Sequence, residues 1–96
     1  MFFVILTYIK PIDEIERFLP EHVSFLDKYY ESEKFIFSGR RVPRVGGIIL
    51  VNAEIKEEVM AIIQEDPFKQ NELAEYEIIE FVPTKYDKRF GDFINH

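Results

Sequence analysis

The sequence predicts an α+β fold, a four-stranded antiparallel sheet with two helices on one face. Three observations predict it. Phe2 to Ile9 and Ile48 to Val51 are unbroken apolar runs, the pattern of strands inside a sheet. Two stretches repeat apolar residues at helical spacing, one from Pro20 to about Glu33 and one from Asn52 to about Asp66. Two further strand-like segments, Phe35 to Arg41 and Glu75 to Val82, complete a β-α-β-β-α-β order.

The first strand ends at Lys10-Pro11, and Asp13 to Leu19 has room for a short helical turn. Pro20 suits the first turn of the next helix. At about 100° per residue, Phe25, Leu26, Tyr29 and Tyr30 share one arc with His22, while Ser24, Asp27, Lys28 and Glu31 lie opposite. The second strand alternates, with Phe35 and Phe37 expected on one face and Ile36, Ser38 and Arg40 on the other. Gly39 weakens it and marks a bulge or a close approach. A connection holding Pro43, Arg44 and Gly46-Gly47 leads to the third strand. Asn52 is the expected N-cap of the second long helix, Ile55, Val59, Ile62 and Ile63 form its apolar stripe, and Pro67 stops it.

This order is the ferredoxin-like split βαβ arrangement. Two helices cover only one sheet face, yet the first and third strands are apolar on both, so the open face calls for a second copy of the sheet: a homodimer is expected. The 96 residues suffice for one core and one domain, spanning 1–96, with a more polar tail over 85–96. The formal charge of −6 argues against nonspecific nucleic-acid binding. With no cysteine there is no disulfide framework or thiolate zinc site. The N-terminal apolar run is too short for a leader core or a membrane span, so a cytoplasmic protein without membrane partners is expected.

Two residues stand out as chemistry. His22 is a titratable ring on an apolar face, and Asp66 falls on the inward side of the second helix with its backbone restricted by Pro67. At a helix C-terminus that carboxylate would be opposed by the macrodipole and would need a donor. The plain structural readings are a packed histidine and a turn-initiating Asp-Pro. A metal site has little support, because His22 and Asp66 supply two ligands and no H-E-x-x-H motif completes a set; no cofactor is expected. Ser38 lacks the G-x-S-x-G elbow of a hydrolase nucleophile and reads better as a ligand-orienting hydroxyl. Arg40, Arg41 and Arg44 are the concentrated basic segment, suited to an anionic substrate or, more plainly, to ion pairs along an exposed hairpin.

His22 opening a helix with Phe25 and Leu26 behind it, Ser38-Gly39 ending the second strand, Gly46-Gly47 before the third and Asp66-Pro67-Phe68 closing the second helix resemble the YciI-like family over residues 1–85. The resemblance implies a dimeric α+β barrel-like assembly, with His22 and Asp66 at the positions of the family's active-site pair, and kinship with proteins acting on ring compounds and lactones. Two departures stand out: Arg40-Arg41 occupy a place where proline is common, and Asn71-Glu72 one where small or apolar residues are usual. The expectation is an enzyme, lyase- or isomerase-like, in which Asp66 fixes the tautomer of His22 for acid–base proton transfer on a small anionic or cyclic metabolite. Ser38, Gly39, Arg40 and Phe68 are the expected substrate contacts. The alternative is a dimeric ligand-binding or accessory domain without turnover.

Overall fold

A computed structural model describes residues 1–94; His96, the second histidine, lies outside the described residues. Strand β1 (Phe2–Tyr8) is followed by helices α1 (Ile12–Arg17) and α2 (Leu19–Glu31), strands β2 (Phe35–Arg40) and β3 (Gly46–Val51), helices α3 (Lys56–Ile63) and α4 (Pro67–Gln70), and strand β4 (Ala74–Glu80). A 3-10 turn (Lys88–Phe90) and helix α5 (Gly91–Ile94) complete the described chain. The sheet order is β2-β3-β1-β4 with every neighbouring pair antiparallel. The two unbroken apolar runs occupy the two interior positions. No helix among the described residues is long and apolar enough to cross a membrane.

The core lies between the helices and one sheet face. Phe2, Val4 and Leu6 of β1 alternate into it, joined by Ile49 and Val51 from β3, Phe25 from α2, and Val59, Ile62 and Ile63 from α3. Full burial of an aliphatic or phenyl side chain stabilises the fold by roughly 1.5–3 kcal/mol each. Phe2, Ile15, Val59 and Phe68 are all buried to that degree.

The second strand departs from simple alternation. Phe35 pairs with Val51 and Phe37 with Leu50, so Ile36 is an extra residue, and the bulge lies here rather than at Gly39. The extra residue reverses the facing of every later position in the strand. Phe35 stays in the core, Phe37 moves to the open face against Phe3 (ring centroids 6.5 Å apart), and Ser38 and Arg40 come round to the helix side. The expectation that Phe35 and Phe37 share a face is thereby corrected.

Gly46 and Gly47 are the first residues of β3 rather than part of the connection. Neither has a positive φ. Gly46 is required for space, because a Cβ there would lie 1.8 Å from the Leu6 carbonyl oxygen of the neighbouring strand. The second long helix also starts later than Asn52. Ile55 precedes its first turn with no side-chain cap, and the Asn52 N–H instead donates to the Lys34 carbonyl at 2.7 Å, holding the end of β3 against the turn after α2.

The open face is partly covered by the chain's own C-terminal segment. Phe81 stacks on Phe3 at 5.1 Å, Phe90 packs edge-on against Phe37 at 6.1 Å, and Leu50 beneath them is buried. Phe37, Ile48 and Ile79 remain exposed, at 44%, 37% and 40%.

Candidate active site

Helix α2 presents the predicted arc: Phe25 is buried, Leu26, Tyr29 and Tyr30 are half-buried, and Ser24, Asp27, Lys28 and Glu31 are exposed. His22 lies in the first turns of this helix, and 12% of its side chain remains accessible. Its Nδ1 is 2.8 Å from Asp66 Oδ1. The imidazole also stacks on Phe68, with centroids 4.0 Å apart and planes 6° from parallel. One contact fixes the edge of the ring and the other its plane.

Asp66 reaches this position differently from the sequence expectation. Helix α3 ends at Ile63, and Asp66 is instead the N-cap of α4, with an extended backbone (φ −72°, ψ 123°) that suits the residue before a proline. Its Oδ1 accepts a hydrogen bond from the Phe68 N–H at 3.0 Å. The macrodipole argument therefore changes sign, since a carboxylate at a helix N-terminus is favoured.

A third donor completes the carboxylate. The Tyr76 hydroxyl, projecting from β4, donates to Asp66 Oδ2 at 2.6 Å. Burial, followed by the adjacent Asp66 charge, pushes the Tyr76 hydroxyl well above its ordinary titration range, so it stays protonated and remains a donor. Sequence reasoning missed Tyr76. The available signal was its register: Ala74, Tyr76 and Ile78 share the helix-facing side of β4, and a tyrosine turned toward a core needs a partner for its hydroxyl.

With both Asp66 oxygens accepting, the ring proton of neutral His22 belongs on Nδ1, leaving Nε2 as the basic nitrogen. The ring borders a cavity of about 570 Å³. Its walls are Leu6, Leu19, Val23, Leu26 and Ile49, with Phe68 beneath the imidazole, and its polar lining includes Ser38, Arg40, Arg44 and Glu16. The structure thus brings together His22, Ser38, Gly39, Arg40 and Phe68, with Asp66 held behind the histidine. Ser38 Oγ accepts from the Tyr30 hydroxyl at 2.6 Å, and Gly39 leaves open space where a Cβ would stand. Arg41 turns away to Thr7 Oγ1 at 2.9 Å. Among the described residues no group of three or more His, Asp or Glu side chains gathers around a possible metal position.

The profile of the YCII-related domain matches residues 1–82. Among solved structures, the chain is similar to 5-chloro-2-hydroxyhydroquinone dehydrochlorinase from Burkholderia phenoliruptrix, determined in complex with 2,5-dihydroxybenzoquinone. That likeness has a TM-score of 0.71 at 19% identity, covering 93% of this chain and 98% of the other, and it establishes the shared fold. No curated protein matches by sequence.

The burial of the Tyr76 hydroxyl against Asp66 has a measurable signature in alkali. The folded-state pKa of Tyr76 is raised, so its contribution to stability is complete below the unfolded value near 10 and is lost as pH rises beyond it. In chemical denaturation series above pH 10, the wild type should lose up to about 1.4 kcal/mol per pH unit more than Tyr76→Phe. Near neutral pH the same substitution should cost about 1–3 kcal/mol, because Asp66 Oδ2 loses its donor. Parallel alkaline slopes would show that the hydroxyl is not buried against the carboxylate.

Proposed function

The chain belongs to the YCII-related domain family, and from that premise we propose that it is a small-molecule enzyme of lyase or isomerase type in which His22 transfers the proton and Asp66 orients it. The observation that carries this reading is the His22–Asp66 bond at the wall of the cavity. A general base needs a fixed ring, a known tautomer and access to substrate. Phe68 and Asp66 supply the first two, and the cavity supplies the third.

In this reading Nε2 removes a proton from a carbon or hydroxyl of the substrate, and the resulting imidazolium faces the Asp66 carboxylate. Attraction between the two favours the charged state through which the reaction passes. When the leaving group departs or the double bond shifts, the imidazolium returns the proton or releases it to solvent. Ser38, already accepting from Tyr30, can donate its own hydroxyl proton to a substrate oxygen. A dehydrochlorinase on the same fold supports elimination chemistry, and the quinone bound in that structure supports a ring-sized substrate.

We also propose that two copies associate through the open sheet face, burying Phe37, Ile48 and Ile79. Light scattering at micromolar concentration should give twice the chain mass, with Ile48→Lys giving a folded monomer. A monomeric wild type contradicts this assembly.

The acid–base assignment is tested by thermal-shift screening of ring metabolites, 2,5-dihydroxybenzoquinone among them, followed by turnover assays on the stabilising compounds. His22→Asn can keep the bond to Asp66 through its amide. It should fold and bind while turnover falls about 10²- to 10⁴-fold. Equal turnover by wild type and His22→Asn would overturn the assignment. Ligands that bind but are never converted would instead favour a binding domain.

A further inference from the structure

The three arginines between β2 and β3 have different fates. Arg41 is bonded to Thr7, and Arg44 pairs with Glu16 at 3.1 Å. The Arg40 guanidinium has no hydrogen-bond or ion-pair partner among the described residues, yet it lines the same cavity as His22 and Ser38. The bulge at Ile36 puts it there. Ser38 pairs with Ile49 and Arg40 with Gly47, both on the helix-facing side of the sheet, about 6–7 Å apart along the strand. Without the extra residue both side chains would point to the open face.

Three charged side chains line the cavity, and two of them, Glu16 and Arg44, neutralise each other. Arg40 is therefore the unpaired charge lining this apolar-walled cavity, the Asp66 carboxylate behind His22 being held by its own donors, in a chain whose net charge is −6. A guanidinium offers a planar fork that matches a carboxylate, and one such fork balances a monoanion better than a phosphate dianion. The volume of about 570 Å³ suits a single substituted ring.

We propose that this site selects a ring compound bearing a carboxylate, with Arg40 holding the carboxylate while His22 works on the ring. The proposal rests on the acid–base reading for its chemistry, although anion selection is measurable by binding alone. Gly47, paired with the core residue Leu6, faces the helix side without a side chain and keeps the floor beside Arg40 low. A ring can therefore lie along the strand between the guanidinium and the imidazole.

The test is calorimetric titration with 2,5-dihydroxybenzoate and, as its neutral counterpart, 2,5-dihydroxybenzamide. The wild type should bind the acid at least about tenfold more tightly than the amide, as expected for a charge-assisted contact. Arg40→Gln should lose that preference, while Arg89→Gln, which removes an exposed arginine paired with Asp87, should retain it. Equal binding of acid and amide, no binding of either, or an undiminished preference in Arg40→Gln would each overturn the proposal. His22→Asn should keep the preference for the acid over the amide. Failure of the Arg40 site is thus read from selectivity, and failure of the acid–base reading from turnover.

Discussion

A buried carboxylate at the junction of helices and sheet governs this protein. Asp66 is the one charged side chain fully buried among the described residues, and a carboxylate withdrawn from water costs several kcal/mol unless its oxygens are hydrogen-bonded. Three donors meet that requirement: the His22 ring from α2, the Phe68 N–H at the start of α4, and the Tyr76 hydroxyl from β4. Helix α2, distant in sequence, is thereby held to the same point as the neighbouring α4 and β4. The same bonds that make the burial tolerable fix the histidine's tautomer, so folding and the candidate chemistry share one constraint.

A second device is local. One extra residue in β2 turns Ser38 and Arg40 toward the cavity and sends Phe37 to the opposite face. A regular strand would keep the aromatic pair together and leave the cavity with neither hydroxyl nor guanidinium from this edge. The C-terminal segment then covers part of the displaced aromatic surface through Phe81 and Phe90.

The interior strands were legible because β1 and β3 are apolar without alternation, and the His22 arc was legible because helical spacing is strict. Asp66 was correctly turned inward for a partly wrong reason. The stripe through Val59 and Ile62 pointed inward, but α3 stops at Ile63 and Asp66 faces inward as the N-cap of the next helix. Tyr76 escaped notice because a tyrosine in an alternating strand looks like ordinary core, and its partner lies ten residues away in a separate element. The bulge left no local mark either: Ile36 is a good strand residue, and only the register against Leu50 and Val51 reveals it. The sequence pattern therefore defines elements and facing, whereas the network around the carboxylate depends on distances between elements.

Both the buried carboxylate and the candidate chemistry require that Asp66 hold His22 as the Nδ1–H tautomer, with Nε2 free to act as a base. Nitrogen-15 NMR of the imidazole reads that tautomer without needing a substrate. The expected spectrum has a proton on Nδ1, a bare Nε2 in the neutral ring, and a coupling of the Nδ1 proton to the Asp66 carboxylate that disappears in Asp66→Asn. A neutral ring protonated on Nε2, or one averaging rapidly between both tautomers, would contradict it.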